Sequence, residues 1–136
     1  MGAWGTGVFD NDTACDWAYG LEGQTDLGLI ERTLDVALAN DEGLDASDAE
    51  EALAAAETVA RLQGHWGVRN SYTANVDAWV EKIGLQPSPA LARKAHAAID
   101  HVLGETSEIV ELWEDSAELD EWKRVVDELR SRIHLT

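Results

Sequence analysis

Apolar residues recur along this chain three and four positions apart, the spacing of helices that bury one face. No segment of useful length alternates apolar and polar residues in the manner of a strand. The pattern predicts one compact all-α domain over residues 1–136, with six or seven helices and one core. The predicted helices cover 11–21, 27–39, 45–63, 74–83 and 89–103, then a short helix from about 107 and a last helix from about 116 to 133.

Residues typical of helix ends flank several of these segments. Asp10 precedes the first helix as its predicted N-cap, with Phe9 and Ala14 placed as a hydrophobic staple. Ser88 and Pro89 occupy the N-cap and first helical positions of the fifth helix. These signals predict where the helices begin more sharply than the apolar pattern does.

The opening segment MGAWGTGVFDNDTACDW combines glycines, large aromatic residues and carboxylates, and it leads directly into the first helix. Glycines permit backbone angles closed to other residues, so the segment predicts an ordered loop. We expect Trp4 and Phe9 to be buried against the helices, because each can remove a large apolar area from water. The candidate functional residues of this block are Trp4, Phe9, Asp10, Asn11, Asp12, Asp16 and Trp17.

Part of the opening segment has an echo later in the chain. The pattern Gly-x-Trp-Gly at 2–5 returns at 64–67, and the next tryptophan, Trp17 or Trp79, follows thirteen residues after the first in both cases. Two readings stay open: a remnant duplication of a three-helix unit, or chance.

The chain is strongly acidic, with a formal net charge of −17. Residues 1–60 carry fourteen acidic residues and one arginine, a net charge of −13. Such a surface is repelled by nucleic acid and by anionic membranes, and it favours a basic protein partner. The alternative is that the charge serves solubility. Candidate partner-binding residues on the expected outer faces of the second and third helices are Glu31, Asp35, Asp48, Glu50, Glu51 and Glu57.

A second acidic stretch, which also contains tryptophan, lies where the last two helices meet. Aromatic residues surrounded by charge are enriched at binding surfaces, although tryptophans at helical spacing more often belong to the core. Both readings stay open for its two tryptophans. The candidates in this stretch are Trp113, Glu114, Asp115, Glu118 and Trp122.

Metal and cofactor signals are weak. A calcium loop of the EF-hand type would need other residues where Ala14 and Cys15 stand. Asp12 and Asp16 share a helix face, but acids in a first helical turn also stabilise the helix dipole. The four histidines lack metal-ligand spacing. We therefore expect no metal and no cofactor, with Asp10 acting as a cap.

The chain has one cysteine and no apolar run long enough to cross a membrane, and its first residues do not resemble a secretory signal. We expect a cytoplasmic protein with no membrane association.

Two segments resemble a known family. The opening M-G-A-W-G-x-G-x-F-D-N-D-x-A-x-D-W and the tail Glu111-Leu-Trp-Glu-Asp-Ser116, with Glu121-Trp122-Lys123 after it, resemble a bacterial family of small acidic proteins, domain-of-unknown-function family 4259. The resemblance implies a bacterial, cytoplasmic, stand-alone helical domain. It brings no reaction, cofactor or catalytic residue. Members are similar in size and charge to immunity proteins of toxin systems, which is an analogy.

Three functions remain open from the sequence. The first is a non-catalytic binding domain, immunity-like or regulatory, whose acidic half meets a basic protein. The second is a metal-dependent hydrolase or other enzyme that uses Asp10, Asn11, Asp12 and Asp16. The third is a homodimer joined along the apolar face of the last helix, and the oligomeric state stays undetermined.

Overall fold

The computed structural model describes residues 3–39, 43–104 and 106–135. This part of the chain is all-α, and its only β contacts are two isolated bridges, Ala3 with Asn11 and Leu44 with Ser107. The helices are α1 (Asp12–Leu21), α2 (Gly28–Ala39), α3 (Ala46–Leu62), α4 (Ala74–Ile83), α5 (Pro89–Val102), α6 (Glu108–Glu114) and α7 (Leu119–Arg132).

The helix starts follow local capping chemistry. Asp45 accepts a hydrogen bond from the Asp48 amide at the start of α3, and Ser88 accepts one from the Leu91 amide at the start of α5. The prediction for α1 is wrong by one residue. Asn11, not Asp10, is the N-cap, because its side-chain oxygen accepts the Ala14 amide at 2.7 Å.

The third helix is the centre of the fold and contacts each of the other six helices. Every residue from 52 to 62 is buried, and most of them are small, so neighbouring helices can approach from several sides. The expected outer face of α3 therefore does not exist over this stretch. Glu57, predicted on that face, is only 4 % exposed.

The last two helices both pack against α3. Trp113 of α6 and Trp122 of α7 are buried, with nearly parallel rings whose centroids lie 6.1 Å apart. The structure thus selects the core reading for both residues. The apolar face of α7, including Val126 and Leu129, is also buried in the same chain, so the surface expected for a homodimer seam is already covered.

The N-terminal loop, defined here as residues 3–11, lies over this core. Phe9 is 3 % exposed, as predicted. Trp4 is 48 % exposed, so its predicted burial is wrong. Its ring contacts Tyr72, with centroids 5.1 Å apart, and this contact joins the N-terminal loop to the loop before α4.

Candidate functional site

A cleft of about 660 Å³ opens between the N-terminal loop, α3, the loop before α4 and α7. Its apolar walls include Val8, Phe9, Val68 and Val125, while charged side chains form its floor and rim. The volume falls within the range of about 300–1,000 Å³ that is typical of ligand sites. The cleft is the candidate functional site of the described part of the molecule.

The floor of the cleft is a network of buried ion pairs centred on Glu57. Arg132 binds both oxygens of Glu57 through its two Nη atoms, at 2.7 and 2.8 Å. Arg61 donates from Nε to the same carboxylate at 3.0 Å. Two arginines therefore neutralise one carboxylate that the fold has removed from water. Such pairing is required, because an isolated buried charge is very costly.

The network continues from Arg61 into α4 and the loop before it. Arg61 pairs with the buried Asp77 and donates to the Val68 carbonyl at 2.7 Å. The Thr73 hydroxyl donates to Asp77 at 2.7 Å. These bonds tie the loop that lines the cleft to α3, so the wall and the floor form one connected structure.

A backbone turn at the end of α3 directs the following loop toward the cleft. Gly64 has φ +86°, and the amide of His65 binds the Ala60 carbonyl at 3.0 Å, the bond that defines a Schellman cap. Farther on, Gly67 lies against Arg132: a Cβ at this position would come within 2.8 Å of the guanidinium. A glycine is needed there for Arg132 to reach Glu57 past the loop.

Arg132 stays charged despite its surroundings. Burial alone would lower the pKa of its guanidinium, but hydrogen bonds to Glu57 and Glu128 outweigh this effect and raise it. A guanidinium is charged at neutral pH in any case. Arg132 therefore contributes a fixed positive charge to the cleft floor.

A separate acidic surface forms where α1 and α3 begin. Burial raises the pKa of Glu50, and repulsion from Asp12 adds to the rise, while a hydrogen bond from Thr13 opposes it. Burial likewise raises the pKa of Glu51, with repulsion from Asp48 and Asp45 adding to it. The fold thus brings the acidic opening block close to the acids of α3.

Cys15 borders the same surface. Burial raises the pKa of its thiol, and repulsion from Asp12, Asp16 and Asp10 adds to this. The thiol donates to the Phe9 carbonyl at 3.3 Å. It is therefore a protonated hydrogen-bond donor, not an activated nucleophile.

The remaining acidic candidates lie in different surroundings. Glu31 and Asp35 on α2 both pair with Lys94 of α5, at 3.4 and 2.9 Å, so α5 partly neutralises this face. At the junction of α6 and α7, three acids are exposed around the buried tryptophans: Glu114, Asp115 and Glu118.

The acids of the N-terminal block do not converge on a metal position. Asp10 accepts the Gly7 amide at 3.0 Å, while Asp12 and Asp16 are exposed on α1. Trp17 is buried and donates to the Thr33 hydroxyl at 2.9 Å. Within the described ranges, no three histidine, cysteine or acidic side chains are grouped closely enough to hold a metal ion.

Sequence reasoning missed most of the cleft, including Arg61, Val68, Thr73 and Arg132, and it missed Asp77 in the ion-pair network. One signal could have found its floor. The stretch Leu53–Leu62 is apolar on all sides apart from Glu57, Thr58 and Arg61, and a helix apolar all round is buried. A glutamate and an arginine four residues apart in such a helix predict a buried ion pair.

These features define a class: an all-α domain with an open cleft over a floor of buried ion pairs. The chain belongs to the family described as Domain of unknown function (DUF4259), whose family model matches residues 2–125. Searches of curated proteins and of solved structures found no match to the chain. Among the described helices, none combines the length and the apolar character that a membrane span requires.

Proposed function

We propose that this protein is a non-catalytic binding domain whose acidic surface associates with a basic protein. The observation that carries the proposal is the acidic surface where α1 and α3 begin. Glu50 and Glu51 are half-buried there, burial raises the pKa of both carboxyls, and repulsion from Asp48 and Asp45 adds to the rise at Glu51. Cations from a partner would relieve that repulsion and would steer association over long range.

The distribution of basic residues supports this proposal. Six of the ten lysines and arginines form ion pairs with other acids within the described part of the chain. These six cations therefore do not neutralise the acidic surface where α1 and α3 begin. An immunity protein that neutralises a basic toxin is the narrower form of this function, and it is supported only by small size and negative charge. No particular observation favours the hydrolase alternative.

Capture from a lysate of the native host tests the proposal. The immobilised protein should retain a basic partner at about 0.05 M salt and release most of it at about 0.5 M, where screening is strong. The double variant Glu50→Gln/Glu51→Gln should capture less. Glu22→Gln/Asp127→Asn, which also removes two exposed charges but away from this surface, should capture as much as the parent protein. Capture of an acidic partner, or retention that does not change with salt concentration, would refute the electrostatic basis of the proposal.

A further inference from the structure

One face of α7 supplies a full side of the cleft. Glu121, Val125 and Glu128 follow one another at helical spacing along that face. Phe9 of the N-terminal loop and Val68 of the loop before α4 line the same cleft. An occupant would therefore meet apolar side chains in the middle and carboxylates along one edge.

The charges that line the cleft favour a cation over an anion. Four acids and three arginines line the cleft, which gives the lining a net charge of −1. The whole chain has a net charge of −17. Each of these arginines already pairs with a carboxylate of the same chain, which offsets its attraction for an anionic ligand. The seven residues are Asp10, Glu57, Glu121, Glu128, Arg61, Arg124 and Arg132.

Three of these carboxylates use only one of their two oxygens in hydrogen bonds with described residues. Asp10 binds the Gly7 amide through Oδ2, Glu121 binds Arg124 through Oε2, and Glu128 binds Arg132 through Oε2. Among the described residues, the second oxygen of each accepts no side-chain or backbone donor. The three carboxylates are not grouped around one point, so each is a separate acceptor, and one such acceptor at the edge of an apolar cleft suits an ammonium group on a flexible alkyl stem.

We propose that the cleft receives a lysine side chain of the basic partner, with apolar residues flanking that lysine. The alkyl stem and the flanking residues would contact Phe9, Val68 and Val125, while the ammonium would bind the Glu121 carboxylate on α7. Lysine stems commonly lie along apolar surface with the charge at a polar edge. This inference rests on the proposed function and assigns the partner's contact to one place.

Defined peptides test the site without knowledge of the partner. The probe is acetyl-Val-Lys-Val-amide, compared with the same peptide carrying ε-acetyl-lysine, which keeps the stem and removes the charge. Nuclear magnetic resonance titration of the full chain should show shifts at cleft residues, and the lysine peptide should bind at least about tenfold more tightly, a difference of about 1.4 kcal/mol. Equal affinity of the two peptides, or shifts confined to other surfaces, would overturn the inference.

Matched variants locate the contact. Val68→Arg places a cation at a position that is 76 % exposed, so the fold should be kept while binding weakens about tenfold or more. Val36 is half-exposed on α2 and lies outside the cleft. Val36→Arg makes the same change there, and this variant should bind the peptide as the parent protein does. Glu121→Gln should also weaken binding, whereas Glu114→Gln should not. Equal behaviour of the members of either pair would overturn the inference.

Two further comparisons distinguish a free amine from a lysine of a protein partner, and failure of the cleft assignment from failure of the proposed function. If free hexylamine binds as tightly as the peptide, the occupant is a small amine and the assignment to a partner is wrong. If a basic partner is captured in a salt-dependent way and Val68→Arg captures it equally, the proposed function stands and the cleft assignment fails. If no basic partner is captured, the proposed function itself fails.

Discussion

At the scale of single residues, the most consequential side chain is Glu57. Its carboxylate is nearly removed from water, and two arginines bind it from different elements. Buried pairs of this kind add little net stability compared with apolar residues, but breaking one leaves an uncompensated charge. The network therefore fixes one arrangement of α3, α7 and the loop between α3 and α4.

Removing one arginine from this network should be costly. Arg61→Met keeps an unbranched stem but leaves Glu57 and Asp77 without their shared partner. We expect a loss of about 3–5 kcal/mol in the free energy of unfolding, measured in urea. The control Arg130→Met breaks an exposed pair with Asp100 and should cost about 1 kcal/mol or less. Similar losses for the two variants would show that the network is not energetically special.

The two half-buried glutamates predict a pH dependence. Their pKa values are raised in the folded state above the unfolded value of about 4.3. Their ionisation therefore destabilises the fold; the cost is absent below the unfolded pKa and develops as the pH rises through the folded pKa. Glu50→Gln and Glu51→Gln should each raise the melting temperature at pH 7, and this gain should vanish below about pH 4.

A matched substitution on a more exposed site checks this assignment. Glu114→Gln removes the same charge from an exposed position on α6, and it should change the melting temperature less at pH 7. A gain for Glu50→Gln or Glu51→Gln that persists at pH 3 would have to come from packing and not from charge.

At the scale of elements, α3 and the N-terminal loop decide the architecture. Small residues let six helices pack around α3, and the close approach leaves no space for longer side chains. The N-terminal loop is held differently, through one buried ring, a helix cap and a ring contact at the surface. A different substitution is therefore expected to destabilise each element: a larger side chain in α3, and a smaller one at Phe9 of the N-terminal loop.

The close packing of α3 predicts that a larger side chain is poorly tolerated. Ala55→Leu replaces a fully buried alanine near the middle of the helix, and we expect a loss of about 1–3 kcal/mol or more from overpacking. Ala97→Leu makes the same change at an exposed position on α5 and should be close to neutral. Urea unfolding measures both, and equal stability of the two variants would contradict the central position of α3.

The N-terminal loop depends on Phe9 more than on Trp4. Phe9→Ala should cost about 3–5 kcal/mol, because it leaves a cavity in the core. Trp4→Ala removes a half-exposed ring and should cost clearly less, with the surface contact to Tyr72 as its main loss. Urea midpoints measure both. An unchanged midpoint for Phe9→Ala would show that the loop is not part of the folded core.

At the scale of the whole molecule, the acidic charge and the cleft act together. The cleft is lined by elements from the beginning, the middle and the end of the chain, and its lining has a net negative charge, as the whole chain does. A large net negative charge attracts cations over long range. An approaching cation would be attracted by the molecule as a whole before it met any single carboxylate.

Metal titration tests the alternative function at this scale. We expect calcium, magnesium, manganese or zinc to leave the melting temperature unchanged, because Asp10, Asp12 and Asp16 do not converge on one position. A metal that binds only the folded state would raise this temperature in a saturable way. Such a rise, lost in Asp12→Ala, would instead support the hydrolase hypothesis.

Much of the fold could be predicted from the sequence, but little of the cleft. The helix starts at Asp45 and Ser88 depend on neighbouring residues, so local patterns located them. The contact of Trp4 with Tyr72 could not be predicted, because the two residues are 68 positions apart in the sequence. The second partner of Glu57, Arg132, lies 75 positions away in the last helix.

The sequence by itself determined the all-α class and the strong negative charge, because periodicity, capping residues and composition act over a few residues or over the whole chain. The tertiary structure decided which faces of those helices meet. It surrounded α3 on all sides, turned Glu57 from an expected surface acid into a buried ion pair, and covered Trp113 and Trp122. It also assembled the cleft. Burial and cleft formation are properties of packed neighbours, and a linear pattern does not specify which neighbours those are.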